Sequence, residues 1–214
     1  MSKIYLPFIK KLPVKYLCTV LFFIIALLIL FISSSVPIFS IGCLLDISFI
    51  IGFISLMYFA IGNNKAKNIV FTVLGSILTI LFIADHIYYS NFGKFSSVVS
   101  LTNAGMVMDN LDAYGVKLDL VGSLLLLNLA GLICFLFLFK NKNSTFKERV
   151  FYAIPALLVF VPFVVTYISA YYNIQKLDII LFPKRYTFPD FITNFGYLIY
   201  RYEDIAVVID NIGG

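Results

Sequence analysis

The 214-residue chain predicts an all-α, polytopic membrane protein, and three observations carry that prediction. Apolar residues make up 61% of it and charged residues 13%, against about 25% charged residues in an average soluble domain. The apolar residues gather into five long stretches, each bounded by charge, Gly/Asn or Pro. The stretches are continuous: Leu21-Phe22-Phe23-Ile24-Ile25 and Leu124-Leu125-Leu126-Leu127 do not alternate as the strands of a membrane barrel must. An interior holding 23 Phe and 14 Tyr would need a polar covering that this composition lacks, so lipid must be the solvent for most of the chain.

The first span is placed at 16–35. No charge occurs from Tyr16 to Leu45, and the run outlasts the roughly 20 residues a spanning helix needs. Ser33-Ser34-Ser35 and Pro37 end it. Its basic flank (Lys3, Lys10, Lys11, Lys15) would suit a signal peptide, but the run exceeds the roughly 7–15 residues of such a core and no A-x-A-like cleavage site follows, so it reads as an uncleaved anchor. The second span is placed at 41–61, with Asp46 near its start, where a carboxylate suits the helix dipole. The third is placed at 68–88, the fourth at 118–139 and the fifth at 150–172. Pro155 and Pro162 in the fifth each remove a backbone donor and bend the helix. Thr72, Ser76, Thr79 and Asn128 lie inside spans, where they can bond helix to helix or line a path. Cys18, Cys43 and Cys134 have no metal-ligand spacing and read as buried small hydrophobes.

Orientation follows from Lys and Arg. With the N-terminus inside, the inner segments hold ten of the 16 basic residues although they are much the shorter, and the C-terminus falls outside. Glu148 is then the only inner acid. The net charge of +5 sets topology rather than marking a nucleic-acid binder. Asn143-Ser144-Thr145 matches a glycosylation acceptor pattern but falls on the inner side.

Two outer segments are not simply apolar. One runs from Ala84 to about Lys117 and is long for a connection between packed helices. It contains Asp85, His86, Tyr88, Tyr89 and Lys94. Asp85 and His86 are an ionisable pair at a membrane boundary, which either binds a head group, relays a proton, or is a helix end reaching into water. Tyr88 and Tyr89 suit an aromatic belt. As the only histidine, His86 cannot build a metal site. The other segment, 173–214, carries Lys184 and Arg185, then Phe191, Phe195, Leu198, Tyr202 and Ile205 at helical spacing. That pattern predicts an amphipathic helix over about 188–210, lying in the interface or covering the end of the bundle. No nucleophile elbow, Walker loop, HExxH or paired-cysteine motif is present, and no catalytic or metal-binding residue is assigned.

Two stretches carry a resemblance. Asp85-His86-Ile87-Tyr88-Tyr89-Ser90-Asn91-Phe92-Gly93-Lys94-Phe95, followed by Leu101-Thr102-Asn103-Ala104-Gly105, resembles the aromatic segment after the third helix of lipoteichoic acid synthases and related phosphoglycerol transferases of Gram-positive bacteria. Phe195-Gly196-Tyr197-Leu198-Ile199-Tyr200-Arg201-Tyr202-Glu203-Asp204 resembles the segment by which that family joins its fifth helix to a sulfatase-like outer domain. The layout is similar over nearly all 214 residues, the motifs over some thirty. The resemblance implies the membrane half of such an enzyme, truncated or naturally separate, in a bacterial cell membrane. It implies a role in anchoring the enzyme and positioning it over an anionic phosphatidylglycerol substrate. The family's threonine nucleophile and manganese site belong to the outer domain, and no residue here carries them over. Asp85, His86, Tyr88, Tyr89, Lys94, Lys117, Lys184 and Arg185 are the candidates for the lipid head group. The alternatives are an accessory membrane protein binding a separate partner through its tail, and a small transporter.

Overall fold

The computed structural model describes residues 14–93, 95–96, 119–138, 144–157, 159, 164, 188–202 and 204–205. Their regular elements are all helices. Four are long and apolar enough to cross a membrane: α1 (Val14–Ser33), α2 (Ile41–Ala60), α3 (Asn64–Phe92) and α4 (Leu120–Leu138). Residues 146–157 are also helical, and a short helix, α5 (Phe188–Phe195), precedes a second helical stretch at 197–202. Most of the fifth predicted span, 150–172, lies outside the described residues.

Local chemistry sets the helix ends. α1 stops where Ser35 takes a positive φ of 54° and the Val36 N–H turns back to the Phe31 carbonyl at 3.0 Å. The Ser40 hydroxyl caps α2 by accepting the Cys43 N–H at 3.1 Å. The Asn63 side chain caps α3 by accepting the Lys65 N–H at 2.8 Å, and Gly93 ends it in the left-handed region. α3 is therefore longer at both ends than 68–88, because both caps lie beyond the apolar run.

α1 is the central helix. It packs on α2, α3 and α4, and α3 packs along α4. Leu27, Leu30 and Phe31 of α1 are buried, as are Phe71 of α3 and Leu125 and Leu136 of α4. The outward faces are as apolar as the inward ones. Only 22–39% of each span's apolar window is buried in the bundle, which suits helices that cross a membrane. Polar side chains join helices, as is usual in membrane bundles. Tyr16 meets Ser55 at 2.7 Å, Thr19 meets Tyr58 at 3.2 Å, and Asn128 donates to the Phe22 carbonyl at 3.0 Å. The cysteines differ from one another: Cys43 is buried, Cys18 half-buried and Cys134 exposed on α4.

The hydrogen bonds fix the sense of the bundle. Lys15 at the start of α1, Asn64 at the start of α3 and Leu136 near the end of α4 meet at one end. The opposite end gathers the α1–α2 turn, the end of α3, the start of α4 and residues 192–202. Among the described residues the first end holds Lys15, Lys65, Lys67, Lys147 and Arg149 with one acid, Glu148; the second holds Asp46, Asp85, Asp119 and Asp204 with one Arg, Arg201.

Candidate functional site

At the acidic end, two buried aspartates seize the segment that includes α5. Asp46, wholly buried on α2, lies too far along that helix to serve its dipole, and Ser40 already caps it. Its carboxylate instead accepts the Tyr197 N–H at 2.7 Å and the Leu198 N–H at 3.0 Å. It thereby caps the helical stretch 197–202 from a different element.

The chain reaches this position because two glycines let backbones touch. A Cβ on Gly42 of α2 would overlap the Ile192 carbonyl oxygen and come within 2.6 Å of the Gly196 nitrogen. Gly196 has a φ of 91°, and a Cβ there would sit 2.6 Å from the Asp46 carboxylate. This residue divides the predicted 188–210 helix in two. The face turned inward is Ile192, Tyr197, Ile199 and Arg201. Of the residues predicted to form the apolar face, Phe195 and Leu198 are half-buried, whereas Tyr202 and Ile205 are exposed. The side chain of Phe191 lies outside the described residues.

Asp85 is the centre of the second contact and is also wholly buried. One carboxylate oxygen accepts the Ser96 N–H at 3.0 Å and the Ser96 hydroxyl at 2.7 Å, and pairs with the Arg201 guanidinium. The other accepts the Tyr197 hydroxyl at 2.6 Å. Arg201 in turn donates to the Tyr197 oxygen at 3.0 Å, the Ser96 carbonyl at 2.5 Å and Asp204 at 3.2 Å. Burial pushes the Tyr197 hydroxyl well above its usual range, and the adjacent Asp85 pushes the same way, so it remains a neutral donor. Burial works against the charge of Arg201, but Tyr197 and Asp85 more than offset it and hold the guanidinium protonated. Phe82 and Phe95 pack edge-on against the Tyr197 ring at 5.3 and 5.4 Å.

His86 faces the next interface. Its Nε2 meets the Asp119 carboxylate at 2.6 Å, while Nδ1 is buried without a partner. Because the carboxylate accepts, the Nε2–H is the donor. The other Asp119 oxygen caps α4 through the Gly122 N–H at 2.9 Å. Burial would raise the Asp119 pKa, but the Gly122 N–H and His86 outweigh it and hold the carboxyl below its usual range.

The sequence candidates therefore separate. Asp85 and His86 do not reach water as a helix end would; both are buried in contacts between elements. Tyr88 and Tyr89 are half-buried, beside Phe92 and Phe95 respectively. Lys94, Lys117, Lys184 and Arg185 lie outside the described residues. Ser96, Tyr197 and Arg201 as partners of Asp85, and Asp119 as partner of His86, were not identified from sequence; the only signal was polar residues lying close to apolar spans. Among the described residues no group of three His, Cys, Asp or Glu side chains is placed to hold a metal ion. Beneath the docked segment an apolar cavity of about 260 Å³ runs between the helices, lined by residues including Phe23, Leu27, Ile54, Leu78, Phe82 and Leu198.

No family model, curated protein or solved structure matches the chain.

Proposed function

We propose that the chain is a membrane-anchoring and positioning domain of the lipoteichoic acid synthase type, holding a phosphoglycerol transferase over phosphatidylglycerol. The observation that carries the reading is the double clamp by Asp46 and Asp85 on residues 197–201. A flexible tether would need no such clamp. A segment pinned by two buried carboxylates and by the contact between Gly42 and Gly196 leaves the bundle at a fixed place and angle. That suits an enzyme whose substrate head group lies at a fixed depth.

The charge asymmetry of the two ends supports placing the basic end in the cytoplasm and the clamp outside, in a bacterial cell membrane. Lys94, Lys117, Lys184 and Arg185 supply charge for an anionic head group in this reading, each worth about 1 kcal/mol near the surface. Manganese belongs to the family's catalytic domain and enters no step carried by these residues.

The test is transfer in trans. Vesicles of phosphatidylglycerol with and without the full chain are mixed with a soluble phosphoglycerol transferase catalytic domain, and diacylglycerol release is measured. The reading expects faster release with the chain present, and loss of that gain with Lys94→Ala/Lys117→Ala. Equal rates from both kinds of vesicle would reject it.

A further inference from the structure

The basic end contains a second cluster, and it is built the opposite way from the first. Lys67 of α3 is 5% exposed. Its ammonium donates to the Ser144 hydroxyl at 3.0 Å and lies 4.9 Å from the centre of the Tyr58 ring. Arg149, from helical residues 146–157, reaches over the same α2–α3 turn. One of its terminal nitrogens donates to the Phe59 and Ala60 carbonyls at 3.3 and 3.1 Å, and its Nε–H is buried with no partner. Lys15 of α1 is buried close by, with its ammonium 3.0 Å from the Leu136 carbonyl. Arg149 and Lys15 both repel the charge of Lys67. Glu148 attracts it, but that carboxylate is exposed and accepts the Thr145 N–H at 2.8 Å. Among the described residues, no carboxylate lies within ion-pairing distance of Lys67 or Arg149.

Buried charges without a counter-ion are costly, and crowding like charges adds to the cost. At the acidic end, among the described residues, Asp85 pairs with Arg201, and Asp46 is met by two backbone N–H groups. At the basic end carbonyls and a hydroxyl do part of that work, and an Nε–H is left over. The N-terminus of α3, which carries Lys67, adds a positive dipole at the same place.

We propose that this cluster is a site for the phosphate of an anionic phospholipid head group, seated between Lys67, Arg149 and Ser144 at the α2–α3 turn. Phosphate offers several acceptor oxygens, enough to meet a guanidinium edge and an ammonium together; the Ser144 hydroxyl, which donates to the Gly62 carbonyl at 3.3 Å, would have to turn to join them. The cluster lies where four membrane-length helices begin or end, the place at which head groups would sit were these helices to span a bilayer, which favours a lipid over a soluble ion. The site is at the end of the bundle opposite the clamp, and it stands whether or not the reading of that clamp holds.

Native mass spectrometry of the full chain, equilibrated with equal phosphatidylglycerol and phosphatidylcholine, reads which lipid is retained. The site predicts preferential retention of phosphatidylglycerol. It predicts a fall in that preference of about fivefold for Lys67→Met and about twentyfold for Lys67→Met/Arg149→Gln. The exposed Lys147, changed to Met, leaves the preference within about twofold. Lys67→Arg keeps the charge and retains the preference. Arg149→Gln alone, at a half-buried position, tests the site should the Lys67→Met variants fail to fold. It lowers the preference about fivefold, and an unchanged preference there would count against the site. Equal retention of the two lipids by the unmodified chain, or an unchanged preference in the double variant, would overturn the site. Inorganic phosphate raising the Tm as much as phosphatidylglycerol does would overturn the assignment to a lipid.

Discussion

Asp85 and Arg201 form a buried ion pair whose value depends on both partners being present. Removing one leaves the other charged, desolvated and unpaired, a change that costs about 3–5 kcal/mol, whereas replacing both by apolar groups is often close to neutral. Asp85→Asn should therefore destabilise the protein strongly in detergent-induced unfolding, and Asp85→Leu/Arg201→Met should recover most of the loss. Equal losses in the single and double variants would mean that the two residues act independently. Gly196→Ala should also loosen the docked segment, since the new methyl meets the Asp46 carboxylate at a φ that L-residues rarely adopt. Its readout is faster proteolysis after residue 188 with the spans intact. Part of this was legible in the sequence: Asp46 and Asp85 stand out as charges within or beside apolar runs. Their partners were not, because Arg201 lies 116 residues after Asp85 and Tyr197 lies 151 after Asp46, beyond the reach of any periodicity.

The helices were legible to the degree that their signals are local. The charge-free run from Tyr16 to Leu45 and the breaker Pro37 predicted α1 and α2 to within two residues of Val14–Ser33 and Ile41–Ala60. The tail shows where a local signal misleads. Apolar residues at 191, 195, 198, 202 and 205 fit one continuous helix, but Gly196 interrupts it and changes the phase. The inward face becomes Ile192, Tyr197 and Arg201 instead. α4 depends on Asp119 at its start, which both caps the helix and bonds His86 of α3. Asp119→Ala should lower stability by about 1 kcal/mol through the lost cap. The pH dependence has a definite sign. Asp119 has a depressed folded-state pKa, so its contribution is present above the ordinary carboxylate range. It is lost as pH falls through that depressed value. Unfolding measured from neutral to acidic pH should show this loss in the unmodified chain and a shallower one in Asp119→Ala.

The whole molecule is a bundle with two chemically different ends. One gathers cations around the α2–α3 turn; the other buries carboxylates against a returning segment. The orientation proposed above puts the basic end in the cytoplasm. Labelling with a membrane-impermeant maleimide tests this. Phe39→Cys, fully exposed in the α1–α2 turn, should label in intact cells, and Lys65→Cys only after permeabilisation. The reverse pattern would invert the topology. The central claim is that residues 197–201 are a fixed part of the bundle, and amide hydrogen exchange in lipid nanodiscs tests it most directly. In the unmodified chain the Tyr197 and Leu198 amides should be protected nearly as well as those of α1. Asp85→Asn should lower that protection while leaving α1 unchanged. Rapid exchange at Tyr197 and Leu198 in the unmodified chain, with α1 still protected, would contradict the account.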